Sequence, residues 1–160
     1  PSPFDAIVDP NGSGDYTTIS DACTNEANGA LIGVKSGTIN EIADIVMKPG
    51  QVVMGFGWYD DQIIVNLGNT YTWDIDEECR VEGFSIRTTN TTSGEHIIRM
   101  VGDEAIFRNC EIDVSGVTVL NNYCYAIGID VSDYCQIENV LMIGSDSSYC
   151  GFLDTSYNVA

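Results

Sequence analysis

Cys79-Arg-Val-Glu-Gly-Phe-Ser-Ile86, Ala105-Ile-Phe-Arg-Asn-Cys-Glu-Ile112 and Cys135-Gln-Ile-Glu-Asn-Val-Leu-Met142 are one pattern written three times. Aligned, Val81, Phe107 and Ile137 share a column, as do Phe84, Cys110 and Val140, and Ile86, Ile112 and Met142. Gly83, Asn109 and Asn139 fall between apolar neighbours in the three copies. Gly and Asn are the residues that tolerate the left-handed backbone of a sharp bend. The copies are offset by 26 and 30 residues. A period of this length, built from short strands, marks a solenoid: each coil cannot bury its own apolar side and stacks on the next at about 4.8 Å.

Composition agrees with that reading. The 160 residues include 18 Ile and 14 Val against 5 Leu and 8 Ala. β-branched side chains fit a pleated sheet, whereas Leu and Ala are the common helix builders. Sixteen Gly, 12 Asn and 15 Asp supply turns.

Phe4, Ala6 and Val8 alternate with polar neighbours as a first short strand, stopped by the turn-rich loop at residues 10–15. Between Tyr16 and Asn28 the period changes: Ile19, Ala22, Cys23 and Ala27 line one face of a short helix. Thr17 or Thr18 caps it, and Asn28-Gly29 ends it. Short β runs follow: Leu31–Val34, Ile42–Met47, Val52–Phe56, Gln62–Leu67, Tyr71–Ile75, Val81–Ile86, Ile97–Val101, Ile106–Val114, Tyr125–Val131 and Gln136–Ile143. The expected fold is all-β: a right-handed parallel β-helix of about five coils over residues 31–160, with an N-terminal cap strand and short helix over residues 1–30. The last residues, 150–160, read as another coil with nothing after it to cover Phe152 and Leu153. Further sequence or a partner subunit is expected there.

A second series runs beside the first: Ile98, Cys124 and Cys150 are each 26 residues apart. That spacing places Cys124 and Cys150 in register on adjacent coils, within disulfide range. In-register parallel neighbours rarely satisfy the S–S dihedral, so stacked free thiols are the preferred reading. Cys79 and Cys135 share a column with the Ala105 coil between them and are not expected to pair. No two of the six cysteines have C-x-x-C spacing and His96 is the only histidine, which argues against structural zinc.

The charge excludes some partners. Twenty-four acidic against six basic side chains leave −18, the wrong sign for nucleic acid or an anionic membrane surface. No apolar run approaches the ~20 residues of a membrane-spanning helix, so no membrane insertion is expected.

Asp9-Pro-Asn-Gly-Ser-Gly-Asp-Tyr-Thr-Thr-Ile-Ser-Asp-Ala22, Ile32-Gly-Val-Lys-Ser-Gly37 and Met47-Lys-Pro-Gly-Gln-Val-Val-Met-Gly55 resemble the opening of pectinesterases, members of the pectin lyase-like right-handed parallel β-helix superfamily. Residues 98–112 resemble a later coil of that family, so the resemblance spans roughly residues 5–145. It implies the same fold. Pectinesterases use two Asp, Gln side chains for the oxyanion, and an Arg. Continuing the match through Ile112 puts the Gln-Asp pair at Gly116 and Val117, the upstream Gln near Gly94 and the second Asp near Ile127. Those side chains cannot transfer a proton or donate to an oxyanion, so no catalytic residue is assigned.

Three other groups carry chemistry of their own. Asp74, Asp76, Glu77 and Glu78 place four carboxylates in five residues, the chemistry of a Ca²⁺ site, against the alternative of a solvated acidic turn. Trp58, Tyr59 and Trp73 are candidate platforms for sugar rings, against the alternative of packing in the coils. His96, before an apolar strand, has no Ser or Cys beside it to act on as a base. The leading expectation is a non-enzymatic structural or surface protein: a virion tail or spike component or an extracellular scaffold, assembled with copies of itself or other subunits. The alternatives are a carbohydrate-binding module for surface glycans and a divergent polysaccharide lyase, hydrolase or esterase. No cofactor is expected apart from the candidate Ca²⁺.

Overall fold

The computed structural model describes residues 2–56, 62–68, 70–89, 96–116, 125–130, 134–144 and 152–154. The chain opens with β1 (Ala6–Val8) and α1 (Ile19–Asn25). It continues through β2 (Leu31–Val34), β3 (Gly37–Asn40), β4 (Ile45–Val46), β5 (Val52–Gly55), β6 (Ile63–Asn66) and β7 (Trp73–Ile75). β8 (Arg80–Glu82), β9 (Ser85–Arg87), β10 (His96–Met100), β11 (Ile106–Asp113), β12 (Tyr125–Ile129), β13 (Gln136–Ile143) and β14 (Phe152–Asp154) complete it. Named strands that pair do so in parallel.

These strands stack as a parallel β-solenoid of about four turns with three faces. The first face runs β1, β2, β5, β8 and the opening halves of β11 and β13. The second runs β3, β6, β9 and the closing halves of the same two strands. The third runs β4, β7, β10, β12 and β14. Each face sends one main column of side chains inward. Ala6, Ile32, Val53, Val81, Phe107 and Ile137 form the first. Ile39, Val65, Ile86, Ile112 and Met142 form the second. Ile45, Trp73, Ile98 and Ile127 form the third. All are buried except Ile137 and Met142, which lie on β13, the outermost described rung of the first two faces, and are half-buried. Each full burial of such a side chain contributes about 1.5–3 kcal/mol.

The bend between the first and second faces falls where the sequence placed it: Gly83, Asn109 and Asn139 have φ of 89°, 53° and 50°. The run read as Val81–Ile86 is therefore two strands, because the left-handed residue turns the chain from one face to the next. A second left-handed column precedes the first face. Gly29, Gly50, Glu78, Glu104 and Tyr134 all have positive φ, each two residues before a first-face strand.

α1 closes the N-terminal end. Thr18 caps it, its hydroxyl accepting from the Asp21 N–H at 3.3 Å. The Glu41 carboxylate accepts from the N–H groups of Ile19 (2.7 Å) and Ser20 (3.2 Å). At the other end the Lys48 ammonium donates to the carbonyls of Thr24 (2.7 Å) and Glu26 (2.6 Å), and the buried Gln51 amide donates to Cys23 and Ala27 (both 3.1 Å). An acid at the N-terminus and a cation at the C-terminus complement the helix dipole. With its last carbonyls taken by Lys48 and Gln51, the helix stops at Asn25, short of Asn28, and Ala27 is exposed rather than on the packed face.

Two further readings are corrected. β3 falls between the expected runs Leu31–Val34 and Ile42–Met47, because Ile39 is its only buried residue and leaves no alternation to detect. The 26-residue series is not the register: Ile98 pairs with Ile127, three residues beyond Cys124, and Ile127 pairs with Phe152. The connection between the second and third faces changes length from rung to rung, which breaks a constant period. Cys124 and Cys150 lie outside the described residues.

Candidate functional site

The outward side chains bond to their neighbours one rung away. On the third face the Arg99 guanidinium grips the Asp74 carboxylate with both Nε (2.7 Å) and a terminal nitrogen. On the first face Arg108 donates to Glu82 from Nε (3.0 Å) and a terminal nitrogen (2.9 Å). At the bend, the Asn139 amide donates to the Asn109 side chain (2.9 Å), whose amide donates to Glu82 (3.0 Å). Asn66 donates to Asn40 (3.1 Å), and the Ser85 hydroxyl to Glu111 (2.8 Å). Near the N-terminus, Lys35 (3.0 Å) and Ser13 both donate to the buried Asp9 carboxylate, and the Asn11 N–H donates to its other oxygen (2.8 Å).

These contacts set the electrostatics. Hydrogen bonds from the Ser13 hydroxyl, the Asn11 N–H and Lys35 hold the Asp9 carboxyl at about 2. Burial pushes Glu82 up, and Arg108 and Asn109 more than reverse it, leaving the group below its ordinary value. Burial raises Glu41 against the opposing pull of Ser20 and Ile19. The buried thiols of Cys79 and Cys110 are pushed up to about 11 and about 12, chiefly by burial, and Cys23 is raised for the same reason. Thiols so protonated are poor nucleophiles. Cys23, Cys79, Cys110 and Cys135 are free, and the Ala105 rung separates Cys79 from Cys135 as the repeat required.

Among the described residues, those singled out in the sequence are not brought together. Trp73 is wholly buried against Phe84, ring centroids 5.5 Å apart, so it offers no face to a sugar. It alternates inward on a strand whose neighbours are Ile45 and Ile98, and the core needs its volume. Trp58 and Tyr59 lie outside the described residues. The four carboxylates proposed for Ca²⁺ divide: Asp74 is on the third face with Arg99, whereas Glu77 and Glu78 are exposed at the corner before β8. Among the described residues no three His, Cys, Asp or Glu side chains group to hold a metal. Of the positions implied by the pectinesterase resemblance, Gly116 is exposed and Ile127 buried; Gly94 and Val117 lie outside the described residues. His96 is half-buried, its ring against the backbone at Gly128.

Sequence reading missed the rung-to-rung ties. Their signal is an acid or amide whose partner sits about one period later, as Glu82 and Arg108 do at 26 residues. Among the described residues no helix is long and apolar enough to cross a membrane. The fold and its ties define a parallel β-solenoid. Comparison with protein-family models, with curated proteins and with solved structures finds no match.

Proposed function

We propose that this chain is a non-enzymatic structural protein, a stiff acidic column built into a virion tail or spike or into an extracellular scaffold, beside copies of itself or other subunits. The observation that supports this is the use of outward side chains: Asp9 with Lys35, Asp74 with Arg99, Glu82 with Arg108, and Asn109 with Asn139 each join one rung to the next. Groups held this way resist separation of the rungs, which suits a load-bearing column. The resemblance to pectinesterases bears on the fold, and it implies catalytic positions of that family at about Gly116 and near Ile127, whose side chains carry no such chemistry.

The test is a glycan array combined with reducing-sugar and methanol release from methylated pectin and a panel of polysaccharides. Neither binding nor release is expected. Binding without release moves the protein to the carbohydrate-binding alternative, resting on Trp58 and Tyr59. Release abolished by replacing a single Asp overturns the structural reading in favour of a divergent lyase, hydrolase or esterase.

A further inference from the structure

Residues 17–28, which carry α1, are held to the solenoid by side chains. The rungs are joined to one another by backbone ladders. Among the described residues, no backbone hydrogen bond links residues 17–28 to a strand. Their polar ties are the Glu41 carboxylate on the Ile19 and Ser20 N–H groups, Lys48 on the Thr24 and Glu26 carbonyls, and Gln51 on those of Cys23 and Ala27. The Tyr16 hydroxyl adds one more, donating to the Glu26 carboxylate at 2.8 Å.

The ends of this stretch are anchored differently. The Tyr16 N–H donates to the Ile7 carbonyl (3.2 Å), and the Tyr16 carbonyl accepts from Asp9 (2.9 Å). The Gly29 N–H donates to the Pro49 carbonyl (3.0 Å). Just inside the first anchor Thr17 is exposed; at the second, Gly29 has a φ of 74° and nothing within 4 Å of where a Cβ would stand. A few such positions can absorb the dihedral changes of a hinge. A helix of seven residues is too short to persist on its own. What keeps α1 in place is its packing on β4, β1 and β2, with Ile19, Ala22 and Cys23 wholly buried. Swinging this stretch out loses three apolar side chains and a few side-chain bonds, whereas unwinding the rungs loses the columns of three faces. The smaller loss defines a local opening that lies below global unfolding.

We propose that residues 17–28 form a strap that opens and recloses as one unit, hinged at Thr17 and Gly29, while the rungs stay wound. The N-terminal end of the column is then closed by a removable part. Cys23, buried beneath the strap, reports its opening, and Cys110, buried on β11, reports unwinding of the rungs. The 160-residue chain is labelled with iodoacetamide over a series of low denaturant concentrations, and peptide mass spectrometry follows each thiol. Cys23 is expected to label at least tenfold faster than Cys110 and to respond weakly to denaturant, because a strap exposes little surface. Ile86→Val, a conservative truncation in the second-face column, destabilises the rungs whether the strap is open or closed. It should speed Cys110 severalfold and leave Cys23 unchanged. Glu41→Ala removes a tie made only in the closed strap and should speed Cys23 tenfold or more. Circular dichroism checks that both variants keep their sheet. Equal rates and denaturant slopes for Cys23 and Cys110 in the wild type, or a joint rise in Ile86→Val, would make strap and rungs one cooperative unit and overturn the proposal. Amide hydrogen exchange is the second measurement. Ile19 and Ser20 should exchange with the Cys23 opening, and protection there as high as at Val65 would overturn it as well.

Discussion

The Glu41 carboxylate reaches back twenty-two residues to the first turn of α1, its Oε1 2.7 Å from the Ile19 nitrogen. Side chain and helix end are both buried, so neither has water as an alternative partner. The first rung of the solenoid thus holds the element that closes its N-terminal end.

Replacing Glu41 with Ala leaves two buried N–H groups without an acceptor. The expected loss is about 1–3 kcal/mol, the desolvation penalty of such groups. It is read as a lower denaturant midpoint. An equal midpoint would mean that the helix finds other acceptors.

The Asp9 cluster predicts a pH dependence. Its folded carboxyl lies at about 2 against an ordinary 3.8. A depressed folded value contributes stability that is present above the unfolded value and lost as pH falls toward the folded one. Wild type should therefore lose stability between about pH 4 and pH 2 relative to Asp9→Asn, whose acid limb is flatter. Parallel acid titrations of the two would expose a missing difference.

The repeat was legible because its columns are apolar on every rung, as with Val81, Phe107 and Ile137, and because Gly and Asn mark the bend at Gly83, Asn109 and Asn139. The second left-handed column was not, since Glu78, Glu104 and Tyr134 are not residues that announce positive φ. Neighbouring rungs impose that geometry: the Glu78 N–H donates to Asp103 one rung on. Trp73 stands between sugar platform and core packing in the sequence, because an aromatic looks the same there in either place, and its full burial selects the packing alternative. The clamp on α1 was hidden because Glu41, Lys48 and Gln51 meet the helix only after the chain has wound round the solenoid.

Asn109 combines positive φ with a bond on each side, to Glu82 and from Asn139. Asn109→Val puts a β-branched residue in left-handed backbone and should cost about 1–2 kcal/mol or more. Asn109→Gly frees the backbone while losing the ladder, and should stay within about 1 kcal/mol of wild type. Thermal denaturation of the pair separates the two contributions, and a Val variant as stable as the Gly one would deny the backbone its role.

Thiol labelling ranks the cysteines. At pH 8 the buried thiols at about 11 and about 12, Cys79 and Cys110, hold under roughly one part in a thousand as thiolate. Among the four cysteines in the described residues, iodoacetamide should modify the half-buried Cys135 first and leave Cys79 and Cys110 until the chain is unfolded. Peptide mass spectrometry over time reads the order, and early labelling of Cys110 would show that the bend beside it opens.

Gly102 measures how tightly the corners stack. A Cβ there would lie 2.0 Å from the Glu77 nitrogen and 2.5 Å from the Asp76 carbonyl carbon, backbone atoms of the rung before it. Those atoms cannot swing aside, because the Cys79 N–H donates to Asp76 (3.2 Å) and the Glu78 N–H to Asp103 (2.9 Å), closing the turn and tying it to the next. Gly116 makes the comparison: its added Cβ would first meet the Thr89 methyl at 3.1 Å, at an exposed position. Gly102→Ala should therefore cost about 1–3 kcal/mol or more, as overpacking does, and Gly116→Ala less than about 1 kcal/mol. Denaturant midpoints of the two variants give the comparison. Equal midpoints would mean that the rungs part at this corner without loss, and that the stiffness proposed for the column does not arise there.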